Sequence, residues 1–436
     1  MKKLFYATII AFIGITACKK DDEMPQASSG FTVVVENVSE PKAYFQTGVF
    51  NTPVGDTSPG PATPGKTYSF SFNAGIGHYL SFSTMFVQSN DLFYAPADTG
   101  IKLFDDTGMA ITGDITAQIY LWDAGTEVNQ EPGVGTDQPP RQSGPNTGAA
   151  ENGTIRMISQ VMDGYTYPAV NEAVKVMLSY DGSNMFTLTI ENISAGSAVE
   201  TPLAPGVWLV HDNTGKLFTA GGMASMGMEQ IAEDGDPSTM NANLAMNSGY
   251  VSPFAPGVFV VAASGSMPLF VNGNPDLGEG LEALAEDGDP SGLAAALAGK
   301  AGVMSSGVFN TPVGAGGPGP LMPGSSYSFE ITASEGDSFN FATMLVQSND
   351  LFFAFEDSGI ALFNNGTPVS GEMTVSVSLW DAGTEVNEFP GAGMGQPLRQ
   401  AGANTGTTEN GVVQKVNDGF AYPATDAMIK LTITPK

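Results

Sequence analysis

The chain has a single cysteine, Cys18, in 436 residues. No disulfide can form within it, so stability must come from buried apolar surface, helped by whatever cations its acids hold. Positive charge is scarce: 16 Lys and Arg stand against 45 Asp and Glu, a formal charge of −29. Nucleic acid is bound by clustered Lys and Arg, so it is excluded as a partner, whereas cations are attracted. Histidine is limited to His78 and His211, in unrelated contexts. No H-E-x-x-H, no G-x-S-x-G and no reactive cysteine appears, which leaves catalysis little to stand on.

Glycine (54) and proline (29) are abundant, and only 14% of residues are charged. Many short strands joined by tight turns suit that composition better than helices do. The length allows two or three domains with real cores. One stretch organises the chain by occurring twice. Met85-Phe-Val-Gln-Ser-Asn-Asp-Leu-Phe93 is followed by Leu121-Trp-Asp-Ala-Gly-Thr-Glu-Val-Asn129. Met344-Leu-Val-Gln-Ser-Asn-Asp-Leu-Phe352 is followed by Leu379-Trp-Asp-Ala-Gly-Thr-Glu-Val-Asn387. In each copy an apolar run ends abruptly in acids, as a strand does when it leaves a core and delivers carboxylates to a loop.

Around these motifs the apolar residues repeat with period two. Tyr68, Phe70 and Phe72 match Tyr327, Phe329 and Ile331; Ile115, Ala117, Ile119 and Leu121 match Met373, Val375, Val377 and Leu379. The pattern predicts an all-β chain of two antiparallel β-sandwiches. The first is expected over 31–180, opening on Phe31-Thr-Val-Val-Val. The second is expected over 186–436, opening on the echo Phe186-Thr-Leu-Thr-Ile. A small duplicated α+β insertion, 201–304, interrupts the second and is expected to pack against it. In each half an Asp-Pro pair (Asp236-Pro237, Asp289-Pro290) predicts the start of a helix.

The paired motifs resemble the spondin N-terminal domain, whose family carries a Ser-x-Asp-aromatic turn and an Asp-Ala-Gly-Thr-Asp loop. The resemblance covers most of both modules, including Tyr167-Pro168 and Tyr422-Pro423, and implies a calcium-bearing β-sandwich used in adhesion. Here Glu127 and Glu385 stand at the loop's second acid, Leu-Phe follows the turn where the family usually has Trp, and the family's cysteines are absent. The implied metal ligands are Asp91, Asp123 and Glu127 in the first module, and Asp350, Asp381 and Glu385 in the second. Asn90 and Asn349 are candidates to complete the shell. Hard cations need six to eight oxygens, and close carboxylates without Lys or Arg partners repel unless a cation neutralises them. Turn capping is the competing role for the same acids, because Asp-Ala-Gly is ordinary turn chemistry.

Residues 1–17 read as a signal peptide: Lys2 and Lys3 precede an apolar run too short to span a bilayer. The run ends in Ile15-Thr-Ala-Cys18, which resembles a bacterial lipobox, so Cys18 is expected to carry the lipid anchor, with 18–30 as a flexible tether. Asp21-Asp-Glu23 resembles a surface-export signal of Gram-negative lipoproteins; a solvated linker is the alternative.

Two further motifs are weighed against ordinary structure. Gly60-Pro-Ala-Thr-Pro-Gly-Lys66-Thr67 fits the phosphate-loop pattern by letter, but a strand pattern follows it instead of a helix, so no nucleotide is expected. Arg141 and Arg399 recur in Gly- and Pro-rich loops, where each is expected to pin its loop to a carboxylate, with facing a ligand as the alternative. The expected protein is therefore an outer-membrane, surface-exposed lipoprotein. Its partners would be the membrane, through Cys18, and an extracellular protein or glycan, with calcium as cofactor. A polysaccharide-active enzyme and a purely structural envelope protein are the rivals.

Overall fold

The computed structural model describes Met1 and residues 27–436. Residues 2–26, which hold Cys18 and most of the expected signal peptide and tether, lie outside the described residues. Among the described residues no helix is long and apolar enough to cross a membrane.

The principal strands, in chain order, begin with β1 (Ser28–Asn37), β2 (Gln46–Phe50), β3 (Thr67–Asn73), β4 (Tyr79–Phe86), β5 (Leu92–Pro96), β6 (Ile119–Asp123), β7 (Val174–Tyr180) and β8 (Met185–Asn192). They continue as β9 (Leu203–His211), β10 (Gly257–Ala263), β11 (Val303–Phe309), β12 (Ser326–Ser334), β13 (Asp337–Met344), β14 (Leu351–Ala354), β15 (Ser378–Asp381) and β16 (Ile429–Pro435). Two helix pairs accompany them: α1 (Met226–Asp234) with α2 (Ser238–Asn247), and α3 (Leu281–Asp287) with α4 (Ser291–Leu297).

All the strand ladders are antiparallel, and they build two units of the same design, as the period-two pattern predicts. In unit one a small sheet, β3-β8-β7 plus the edge pair Gly113–Asp114, faces a larger sheet. That sheet runs β2-β9-β4-β5-β6 and ends on Arg156–Met157. Unit two repeats this as β12-β1-β16 plus Gly371–Glu372, against β11-β10-β13-β14-β15 and Gln414–Lys415.

The division of the chain differs from the expected 31–180 and 186–436. Strand β1 does not open unit one. It lies in unit two, with Val33 opposite Phe329 on one side and Ile433 on the other. Its echo β8 lies in unit one, with Leu188 opposite Leu178 and Phe70. Loop closure gives the reason. β8 is joined to β7 by the tight turn Asp181–Asn184, in which Gly182 and Asn184 have positive φ (94° and 67°). A short hairpin loses less entropy on closing than a distant pairing does, so β8 takes the slot beside β7. The matching slot beside the C-terminal β16 is left for β1, whose pattern is the same. Unit one is thus about 44–249, and unit two is about 250–436 completed by 28–37. A buried asparagine ties down the end of each exchanged strand: Asn37 Nδ2 donates to the carbonyls of Ser252 and Leu321, and Asn192 Nδ2 to those of Ala62 and Thr201.

Nor is 201–304 an insertion into the second sandwich. Its halves are shared out. β9 with α1 and α2 belongs to unit one, β10 with α3 and α4 to unit two, and both strands are interior members of the large sheets. Each helix pair covers the outer face of its large sheet. Met228, Ile231 and Leu244 pack on Phe93, Trp122 and Val207, just as Leu284, Leu293 and Leu297 pack on Phe352, Trp380 and Val258. That is why β5 and β14 are buried at every residue and read as unbroken apolar runs. The second helix of each pair starts where the Asp-Pro pairs predict, with Asp236 and Asp289 accepting the N–H of Ser238 and Ser291 at 2.9 Å.

One alternation fails. The expected strand through Ile115, Ala117, Ile119 and Leu121 is broken by a 3₁₀ turn at Thr116–Gln118, and its repeat by one at Thr374–Ser376. Ala117 and Val375 are consequently exposed, Val375 at 97%.

Candidate functional site

Strand pairing brings the predicted acids together. Leu92 at the start of β5 is paired with Asp123 at the end of β6, so Asp91 and Asp123 meet at one end of the large sheet. In unit two Leu351 is paired with Asp381. All six predicted residues are buried, Asp91, Asp123 and Asp350 completely.

Their oxygens are mostly turned to the loop's own donors. Asp91 Oδ2 accepts the N–H of Thr126 at 2.8 Å and of Glu127 at 3.1 Å; Asp350 Oδ2 accepts those of Thr384 and Glu385 at the same distances. Asp123 Oδ1 accepts from Gly125 N–H at 2.6 Å and Asp381 Oδ1 from Gly383 at 2.7 Å, while Asn129 and Asn387 donate to the other oxygens. Glu127 accepts the N–H of Gly148 at 2.6 Å and Glu385 that of Gly406 at 2.8 Å. The asparagines expected to complete a shell instead donate to these glutamates, Asn90 at 3.2 Å and Asn349 at 3.3 Å. Turn capping is thus a large part of what these acids do. Among the described residues no group of three or more His, Cys, Asp or Glu side chains is arranged to hold a metal ion.

The capping leaves a remainder, the same in both units. Asp91 Oδ1 and Asp350 Oδ1 are buried with no hydrogen-bond partner. So are Glu233 Oε2 and Glu286 Oε2, which come from the helices covering the site. Neither glutamate is among the expected ligands; each opens a Glu-Asp-Gly-Asp run at the end of a helix. The detectable signal was the repeat of an acid on an otherwise apolar helix face. Burial is the main cause raising every one of these carboxyls. Asp91 is pushed up to about 7, with the Asp123 charge adding to burial, and Glu233 to about 8, with Glu127, Glu229 and Asp91 adding. Asp350 rises to about 6 and Glu286 to about 7. Asp381 rises to about 7, with Asp350 as the second cause.

The two units part company at one residue. In unit one Arg156 is paired with Asp123 in the ladder and donates to its Oδ2 at 3.1 Å, opposing the rise that burial causes. Gln414 holds that place opposite Asp381, so unit two has no cation there. A buried pair of carboxyls without a cation either keeps a proton or takes an ion from solution.

The glycines that close the site have no room for a side chain. A Cβ on Gly148 would lie 1.9 Å from Glu127 Oε2, and one on Gly406 1.9 Å from Glu385 Oε2. Gly406→Ala should therefore dislodge Glu385 and lower unit two's stability by about 1–3 kcal/mol. Calorimetry showing an unchanged melting temperature would mean that the loop is not held through this carboxylate.

Other predicted features fall elsewhere. Lys66, in the stretch that fits the phosphate-loop letters, pairs with Asp56 at 2.5 Å, and β3 follows directly. Arg141 donates to Gly135 O, Gln88 Oε1 and Gln138 Oε1, and Arg399 to Ile76 O and Gln347 Oε1. Neither pins its loop to a carboxylate; the oxygens each guanidinium meets belong to amides and carbonyls. His211 Nε2 lies 2.9 Å from Ser81 Oγ, but both are buried between β4 and β9 (0% and 2% exposed), where no substrate could reach them.

Comparison with known proteins finds no matching family model and no matching curated relative.

Proposed function

We propose that the protein is a cell-envelope lipoprotein whose two spondin-like sandwiches act as a binding or adhesion module, with calcium neutralising the buried acids at the sheet ends. The observation that carries this reading is the unpartnered, buried Oδ1 of Asp91 and Asp350, each beside a second buried carboxyl. The donor set fits a hard cation in kind, since it is all oxygen. Asp91 and Asp123, or Asp350 and Asp381, would hold the ion, with Glu233 or Glu286 closing it off from the helix side. Calcium there would replace proton sharing with charge neutralisation and stiffen the loops that carry Thr126 and Thr384. Lipidated Cys18 would tether the module to the outer membrane, and its ligand would be an extracellular protein or glycan.

Calorimetric titration of the full chain with calcium tests the reading. Binding is expected in the wild type and should be lost from unit two in Asp350→Asn. Absence of binding heat, together with identical melting in calcium and in chelator, would overturn it. Incorporation of labelled palmitate at Cys18, abolished by Cys18→Ser, checks the anchor separately.

A further inference from the structure

The units meet across a cleft of about 330 Å³, lined by Phe45 and His78 from unit one, Tyr250 and Arg399 from unit two, and Lys42 from the segment between them. In a chain of charge −29 this is an uncommon meeting of cations. Lys42 is neutralised by Glu40 at 3.2 Å. Arg399 forms no ion pair: its nearest polar contacts are Ile76 O at 3.3 Å, Gln347 Oε1 at 3.0 Å and His78 Nε2 at 3.4 Å, and the carboxylate whose charge acts on it, Glu388, turns its oxygens to Asn349 and to the N–H groups of Met394 and Gly395. Asp212 also lines the cleft and keeps its charge, its Oδ1 held by Thr214 N–H, Thr214 Oγ1 and Gly215 N–H; it makes no hydrogen bond to Arg399 or His78.

The His78 contact is the informative one. The backbone N–H of Gly75 donates to His78 Nδ1 at 3.2 Å, so that nitrogen is the acceptor and the neutral ring carries its proton on Nε2. Burial, and next the Arg399 charge, hold the ring's pKa down to about 3, so it is neutral at physiological pH. Nε2–H and the Arg399 guanidinium therefore confront each other as two donors with no acceptor between them. Of five guanidinium N–H groups, two find acceptors in Ile76 and Gln347. What the arrangement lacks is an anionic oxygen.

We propose that this cleft binds a small carboxylate ligand, its two oxygens taken by the Arg399 guanidinium and the Nε2–H of His78. Planar side-by-side donors match a carboxylate's two in-plane oxygens. The rings of Phe45 and Tyr250 provide apolar wall for the rest of a small molecule, and the volume lies within the ordinary range for such sites. The site exists once per chain, because it needs both units. Arg141, the repeat counterpart of Arg399, is exposed and spends its donors on Gly135 and Gln138 of its own loop and on Gln88 of unit one. It rests on different residues from the calcium reading, so either can fail without the other.

Titration of the full chain with acetate and with glucuronate, glucose serving as the neutral control, tests the proposal. Acetate and glucuronate should bind and glucose should not. Arg399→Gln should weaken binding at least about tenfold, and Arg141→Gln should leave it unchanged. The chain has only two histidines, so ¹⁵N-histidine spectra report directly on the wild type, whether or not a variant folds. Added acetate should shift the Nε2 resonance of His78 and leave His211 still. If neither carboxylate moves His78, or if a folded Arg399→Gln chain binds them as tightly as wild type, the cleft is not an anion site.

Discussion

Removing residues 28–37 from the N-terminal end should unfold the C-terminal unit. β1 lies between β12 and β16, and its Phe31, Val33 and Val35 are fully buried in unit two's core. Each such side chain contributes about 1.5–3 kcal/mol by burial. The excised strand also leaves two facing edges without partners, which together approach the whole stability of a typical domain, about 5–15 kcal/mol. Unit one contains no part of β1, so calorimetry of the truncated chain should show one cooperative transition lost and one kept. A peptide of residues 28–37 added in trans should restore the lost transition by filling the same slot. Two transitions surviving truncation would mean that β12 and β16 can close on each other without β1.

In chelator, unit two should be more stable at pH 5 than at pH 8. The folded-state carboxyls of Asp350 and Asp381 lie at about 6 and about 7, above the range near 4 expected of an unfolded chain. A raised folded pKa means that the native state holds the proton more tightly. The stabilisation is therefore complete below about pH 4 and lost as the pH rises through 6 to 7. Each tenfold change in proton affinity is worth about 1.4 kcal/mol, so the pair supplies on the order of a few kcal/mol. Calcium at pH 8 should return that stability, because it supplies the positive charge the protons provided. Gln414→Arg should reproduce in unit two the ion pair that Arg156 makes with Asp123, and so flatten the pH profile and reduce unit two's calcium response to that of unit one. Melting of unit two that is indifferent to pH between 5 and 8 would rule out the uncompensated pair.

Much of this molecule was legible in its sequence because strand patterning is local. Tyr68, Phe70 and Phe72 are buried, and the serines between them are exposed. The doubled Asp and Asp-Ala-Gly-Thr-Glu motifs sit at equivalent strand ends, and each Asp-Pro pair precedes a helix. Those features depend on a few consecutive residues and on side-chain period, which a sequence states directly. The 3₁₀ turns at Thr116 and Thr374 escaped because apolar residues can keep a period of two through a segment that is not a strand.

Partner choice was not legible, since near-identical strands satisfy the same slots. Phe31-Thr-Val-Val-Val and Phe186-Thr-Leu-Thr-Ile fit either unit, and only the tight hairpin from Tyr180 to Met185 decides which goes where. The apparent insertion divided between units for the same reason: β9 and β10 are interchangeable by pattern but not by chain connection. The motifs put the acids at strand ends, while their environment was decided in three dimensions. Helices brought in Glu233 and Glu286, the ladder set Arg156 but Gln414 beside the aspartates, and the meeting of two units put Arg399 against His78. Composition and period determine which residues are buried; connectivity and the packing of distant segments determine which charges are left facing one another without a partner.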